Sequence, residues 1–293
     1  MTLLNRILNP NVSLKSRVRQ STNGLITALF CEQLSLTHVV EFPKSGGSWI
    51  RNMIRTYLAL DMFSGDRLLR KNDVVLTHSL YRPTYKRVVI VVRDPRDIYV
   101  SFYYYETVYE NKAENLAIER YFRRDSSRTL QEDFAAYLAV KLKIRSHPWF
   151  YYRDFLNAWV DRSDVCVVRY EDCLQNPQSE LTRILEFVDQ PIDLDRVKRT
   201  IEETSFANVT KSRYGEQRDP GQADNRRFHR KGIAGDWKNH FNESSCCLLE
   251  EFEGHSLRRL GYEPDDKWVK RFRFEVSGRS DARFPDVLQR DTG

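Results

Sequence analysis

The run Arg87-Val88-Val89-Ile90-Val91-Val92 constrains this chain more than any other stretch. Nearly every side chain in it is β-branched, hence stiff at χ1 and suited to a pleated surface, and no polar residue alternates with the apolar ones. A strand of this kind has no wet face. It needs cover above and below, the condition met in a parallel sheet packed between helices. Three further runs, Thr37 to Phe42, Asp73 to Thr77 and Val165 to Arg169, share the character, with helical patterning between them. The expected fold is α/β: a P-loop-like parallel β-sheet flanked by helices on both faces, in a single domain, which 293 residues are enough to fill.

The first strand leads into Pro43-Lys44-Ser45-Gly46-Gly47-Ser48, and an amphipathic helical pattern (Trp49, Ile50, Met53, Ile54, Tyr57, Leu58) starts directly afterwards. Adjacent glycines let a backbone take positive φ and approach a ligand closely. The first turn of the helix turns unpaired N–H groups and a positive dipole end toward the same place. An anion fits there, with Lys44 as a mobile cation and the Ser45 and Ser48 hydroxyls as donors. The loop is not a Walker A motif, because its lysine precedes both glycines. Standing alone it reads equally well as a glycine-rich turn carrying a surface lysine.

Two more segments point to the same chemistry. Arg93-Asp94-Pro95-Arg96-Asp97-Ile98-Tyr99-Val100-Ser101 follows the β-branched strand, with Asp94 placed to cap a helix and Pro95 at its first position. Arg230-Lys231-Gly232-Ile233-Ala234-Gly235-Asp236-Trp237 lies near the C-terminal end. With all three in view, from about Val39 to about Gly261, the chain resembles the cytosolic type of sulfotransferase, which uses 3′-phosphoadenosine 5′-phosphosulfate (PAPS) and releases 3′-phosphoadenosine 5′-phosphate (PAP). The resemblance implies that Lys44, Ser45, Gly46, Gly47, Ser48 and Trp49 hold the donor at one end. It implies that Arg93, Ser101, Arg230, Lys231 and Gly232 hold the 3′-phosphate. Tyr170, Thr204 and Phe206 would lie at the adenine, Trp49 facing Phe206 across it; such a stack is worth about 1–3 kcal/mol per ring. In their own right Arg93 fits an ion pair with Asp94 or Asp97, Ser101 a helix-surface hydroxyl, and Arg230-Lys231 a solvated basic run.

His78 ends the run that begins at Asp73, and in open α/β sheets ligands collect beyond the carboxyl ends of strands. Most histidines are structural, but the resemblance places the catalytic base in a Thr-His pair at this point, so His78 and Lys44 are the expected catalytic residues. Enzymes of the family acting on small molecules often carry lysine before that pair, and here the residue is Leu76. Among Tyr103, Tyr104, Tyr105, Tyr109, Tyr121, Phe122, Trp149, Phe150, Tyr151, Tyr152, Phe155 and Trp159, most are expected in the core and some at the acceptor. Helices are expected over 130–143, 148–160, 179–188, 194–203 and 243–260, a charged flap over 111–127, and a loop acting as a lid over 214–229. Arg51 and Arg55 are expected on a solvated helix face.

Residues 1–36 read as an N-terminal arm or surface helix, 37–264 as the sulfotransferase α/β domain, and 265–293 as a tail without an assigned role. The net charge of +6 favours an anionic ligand and is too dispersed for nucleic acid. Five cysteines without even pairing or C-x-x-C spacing point to reduced thiols and a cytoplasmic location. The longest uncharged apolar run near the start, Leu25 to Cys31, is far short of the roughly 20 residues that cross a bilayer, so no transmembrane segment is expected. No H-x-x-x-H spacing or Cys/His cluster suggests a metal. The expected reaction is sulfuryl transfer to a hydroxyl or amine of a small-molecule, lipid or carbohydrate acceptor, with the oligomeric state open. The alternatives are a P-loop kinase-like phosphotransferase and a catalytically silent nucleotide-binding protein on the same fold.

Overall fold

The computed structural model describes residues 14–61, 67–109, 116–144 and 146–272. Four strands, β1 (Thr37–Glu41), β2 (Val74–Thr77), β3 (Val88–Val92) and β4 (Val165–Arg169), form one sheet in the order β2-β1-β3-β4, every pair parallel. Helix α1 (Leu14–Phe30) precedes the sheet and α2 (Gly47–Tyr57) follows β1. Between β3 and β4 come α3 (Pro95–Thr107), α4 (Leu116–Glu119), α5 (Leu130–Lys143) and α6 (Tyr152–Trp159). After β4 run α7 (Tyr170–Gln175), α8 (Pro177–Phe187), α9 (Leu194–Glu203), α10 (Phe206–Tyr214) and α11 (Glu243–Arg259).

The strand period of two divides the core. Val40, Val88, Ile90 and Val92 point to one side, where α3, α5, α6 and α11 cover them with a largely aromatic layer. Val39, Val89, Val91 and Val168 point to the other, against Ile50, Met53 and Ile54 of α2 and Leu181, Ile184 and Leu185 of α8. All five residues of β3 are buried, as a β-branched run without alternation requires. Asp94 caps α3 by accepting from the Arg96 N–H, with Pro95 next to it, and Thr129 and Glu132 close a capping box on α5.

Several expectations need correction. The helix expected from Pro148 starts at Tyr152, because Trp149 has φ +71 and Tyr151, in extended backbone, is the capping residue. Arg55 is buried and Arg51 half-buried rather than solvated, Arg55 lying near Asp73 and Arg67 of the segment that leads into β2. Within the charged flap, residues 110–115 lie outside the described residues, while Ile118 and Phe122 are buried in the core and pin its second half. Residues 206–214 form α10, directly before the expected loop. The first part of the tail also belongs to the core: Trp268 and Phe272 pack on Trp237 at ring separations of 6.0 and 5.4 Å, and residues 273–293 are outside the described ones. At the other end residues 1–13 are outside them too.

Candidate active site

Each of the four strands ends on a residue of the candidate site. β1 runs into the phosphate loop, β2 into His78, β3 into Arg93 and β4 into Tyr170. Parallel strands carry their carboxyl ends to one edge of the sheet, so four segments distant in sequence meet there without any special loop.

In the loop, Ser45 N–H donates to the Phe42 carbonyl and Trp49 N–H to that of Gly46, which closes the turn onto α2. Gly46 has φ +101, and a Cβ there would lie 2.5 Å from the ring of Tyr170. Gly47 is equally enclosed, by Glu41 and Leu76, and its N–H donates to Glu41 Oε2 at 2.6 Å. Gly46→Ala is therefore expected to cost about 1–3 kcal/mol of stability in urea unfolding and to weaken PAP binding, from left-handed strain and displacement of the ring together. Lys44 itself sits at φ +75, its Nζ 4.1 Å from the centroid of Tyr105 and 4.4 Å from that of Phe228. Burial among these rings pushes its ammonium down to about 8; the Glu41 carboxylate opposes the shift and the Arg93 charge adds to it.

Arg93 joins the three segments. Its Nη1 donates to the Lys44 carbonyl at 3.3 Å and its Nη2 to the Ile233 carbonyl at 3.0 Å, while the guanidinium lies 4.2 Å from the centroid of Tyr170. One turn on, Asp97 accepts from the N–H groups of Gly235 at 2.7 Å and Trp237 at 2.9 Å, which fastens the C-terminal segment to α3. Asp97, Ser101 and Tyr105 follow at helical i, i+4, i+8 spacing, so Ser101 shares the face that meets Gly235 on one side and Lys44 on the other. Arg230 and Lys231 both reach Asp236, each at 2.6 Å. Burial alone would raise that carboxyl, but Lys231, Arg230 and Asn239 hold it well below the usual carboxylate range. Gly232, at φ +66, is packed face to face with Phe206, where a Cβ would be 2.4 Å from the ring.

The residues expected at the adenine make these contacts with the protein. Trp49 meets Tyr170 edge-on at 5.8 Å, and Phe206 pairs with Gly232 and with Arg218, 5.4 Å away. The Thr204 hydroxyl donates back to the Thr200 carbonyl at 2.7 Å, which leaves only its lone pairs for a ligand. The loop after α10 is knotted by Arg218, which donates to the carbonyls of Gln222, His229 and Arg230.

On the acceptor side, His78 Nδ1 donates to the Glu41 carbonyl at 3.2 Å, and its ring meets that of His147 edge-on at 5.5 Å. His147 also lines a small cavity with Phe42, Tyr99, Lys141, Ser146 and Phe150. Of the central aromatics, Tyr103, Tyr104, Tyr152, Phe155 and Trp159 are core residues, and Tyr105 faces Lys44.

Residues 67–261 match the family model of the sulfotransferase domain, which is more than half of the chain. The chain belongs to the sulfotransferase family. The relatives it resembles are themselves sulfotransferases. Mouse sulfotransferase 1E1 is 26% identical, covering 76% of this chain and 82% of its own, and mouse sulfotransferase 2B1 is 24% identical, covering 75% and 63%. Arabidopsis thaliana cytosolic sulfotransferase 10 is 26% identical over 59% of this chain and 51% of its own. The fold is similar to that of mouse sulfotransferase SULT7A1 complexed with PAP, at a TM-score of 0.56 and 19% identity over 80% of this chain and 88% of that one. It is also similar to retinol dehydratase in complex with androsterone and PAP, at a TM-score of 0.53 and 16% identity over 80% and 85%. The family match begins after the phosphate loop, so the placement of Lys44 in this sulfotransferase rests on the geometry above.

Sequence reasoning missed several residues that build the site. The Tyr152 hydroxyl accepts from the Arg93 N–H and donates to the Arg93 carbonyl at 2.8 Å, which fixes the backbone from which the guanidinium projects. Asp236, Glu41 and His147 were not singled out either, and Asp97 was expected only as an ion-pair partner of Arg93, which it is at 3.7 Å, not as the acceptor for Gly235 and Trp237. Only Asp97 and Asp236 carried a signal, each lying inside a segment already chosen for its cations. Among the described residues no helix is long and apolar enough to cross a membrane, and no group of three or more His, Cys, Asp or Glu is placed to hold a metal.

Proposed function

We propose that this sulfotransferase moves a sulfuryl group from PAPS to a hydroxyl, or an amine, of a small-molecule, lipid or carbohydrate acceptor in the cytoplasm, within a catalytic unit spanning 37–264 and extended by the packing of Trp268 and Phe272. The observation that carries the reading is the Arg93 junction, where one guanidinium touches both the loop of Lys44 and the segment of Gly232. The residues present suit a doubly phosphorylated nucleotide. Ser45 Oγ and Arg93 Nε are buried donors without a hydrogen-bond partner among the described residues, set in a cradle that a single Cβ on Gly46 would fill. In this reading Lys44 and residues 45–48 hold the 5′ side, and Arg93, Ser101, Arg230, Lys231 and Gly232 the 3′-phosphate. Trp49, Tyr170, Thr204 and Phe206 border the base.

The donor supplies the sulfuryl group, and the chain's own residues manage proton and charge. With Nδ1–H committed to the Glu41 carbonyl, the neutral imidazole of His78 presents Nε2 as a base for the acceptor's proton. In this reading Lys44 meets the charge that builds on the leaving phosphate, a preset contribution that is often the largest in catalysis, while the Gly47 and Trp49 N–H groups are committed to Glu41 Oε2 and the Gly46 carbonyl. Leu76 packs against Gly47, so the cation that relatives often place there is replaced by an apolar contact.

The depressed Lys44 gives a pH prediction. A bound phosphate favours its charged form, so its contribution to affinity is complete below about 8 and is lost as pH rises through the bound-state value. PAP binding near about pH 9 should therefore take up a proton, read by calorimetry in buffers of different ionisation heat, and Lys44→Met should abolish the uptake.

The deciding experiment compares PAP with ATP and magnesium by thermal shift and calorimetry, then follows radiolabelled transfer from PAPS into a mixed metabolite extract with and without EDTA. Preference for PAP and chelator-resistant transfer is expected. Preference for ATP with magnesium would make the chain a phosphotransferase, and PAP binding without transfer or donor hydrolysis would make it a silent binder.

A further inference from the structure

Helix α1 carries apolar residues on its outward face as well as on its inward one. Its polar Asn23 faces the protein, donating to the Arg67 carbonyl and accepting from the Leu69 N–H, and Thr27 is buried beside it. Ile26 packs inward on Leu36 and Leu69, but three other apolar residues face outward: Val18, Leu25 and Leu29, at i, i+7 and i+11, form one stripe and are 59%, 62% and 63% exposed. Phe30 at the helix end and Leu68, on the segment that Asn23 holds, are about half exposed as well. Apolar residues scattered singly over a surface need no explanation, but a stripe along one helix with an apolar neighbour does.

The charge around the stripe selects its occupant. Lys15 on α1 and Arg70 and Lys71 after Leu68 are exposed, and α1 itself carries no Asp or Glu, the first acid being Glu32 just beyond its end, paired with Lys86 at 3.7 Å. Cations flanking an outward apolar face complement an anionic lipid surface, where the leucines enter the acyl boundary and the basic groups stay at the headgroup level. We propose that α1 and the segment 67–71 dock this protein onto a bilayer containing anionic phospholipid. The stripe lies on the helix before the sheet, apart from the strand ends that carry the candidate site, so docking stands independently of the acceptor's identity.

The test is co-sedimentation of the full chain with vesicles of phosphatidylcholine, with and without phosphatidylserine. The expected result is binding only to the phosphatidylserine vesicles, weakened by salt. It should be abolished in the double variant L25E/L29E and reduced about fivefold for each charge removed in K15Q and R70Q. Because these side chains are exposed, the variants should keep the wild-type melting temperature and PAP affinity. Absence of binding to anionic vesicles, or binding that L25E/L29E leaves unchanged, would overturn the proposal. So would a fall in molar mass by light scattering in L25E/L29E, which would assign the stripe to a second copy of the chain.

Discussion

Replacing His78 by alanine is expected to lower turnover by about 10²-fold or more, with PAP affinity changed by less than about twofold. The expectation rests on position and on tautomer. His78 is the first residue beyond β2, beside the loop of Lys44, and its Nδ1 is held by the Glu41 carbonyl. In this reading the free Nε2 serves the acceptor and not the nucleotide, so loss of the ring should appear in kcat and not in PAP binding. His78→Gln sharpens the reading, because its amide N–H can still reach the Glu41 carbonyl but cannot take up a proton. It should be about as slow as the alanine variant. His147→Ala, at the ring that meets His78 edge-on, should keep most of the turnover. Wild-type turnover in both His78 variants would remove this residue from the mechanism and leave the acceptor to be deprotonated by another group.

How far such a site can be read from sequence depends on whether its signal is local. β3 announces itself because burial on both faces permits only apolar, β-branched residues along five consecutive positions. The loop does so because Gly46 and Gly47 are backbone requirements written directly into residue type, and the structure gives each a neighbour that excludes a Cβ. Asp94 and Pro95 mark the start of α3 by the same logic. The supporting polar contacts have no such mark. Tyr152 reaches Arg93 across 59 positions and Asp97 reaches Gly235 across 138; nothing in the surroundings of either residue names its partner. Arg55 misled for a related reason. An arginine four residues after another arginine reads as a wet face, and only the fold buries it, near Asp73 and Arg67 of the segment leading into β2. The same limit explains the tail, where Trp268 finds Glu250 and Trp237 only after α11 has doubled back on α3.

Arg93→Ala is expected to weaken PAP binding by roughly 2–5 kcal/mol, the range for removing one partner of a buried charge pair. The residue is 9% exposed and its guanidinium already makes two bonds to carbonyls, so the variant should also lose stability without nucleotide, by about 1–3 kcal/mol for the acceptors left bare. The two effects separate experimentally. Urea unfolding of the free protein reads the loss of the bridge between Lys44 and Ile233. Calorimetry with PAP, at a temperature where the variant is fully folded, reads the loss of the phosphate contact. Arg93→Lys divides them further: an ammonium keeps the charge but cannot span two carbonyls and a phosphate as a planar fork does, so affinity should fall by less than in the alanine variant while the loss of stability remains. If Arg93→Ala unfolds more easily yet binds PAP as tightly as the wild type, the guanidinium is a brace between the loop and the C-terminal segment, and the 3′-phosphate must be held by Arg230 and Lys231. That outcome would make Asp236, which now pairs with both cations, the residue whose release controls nucleotide entry.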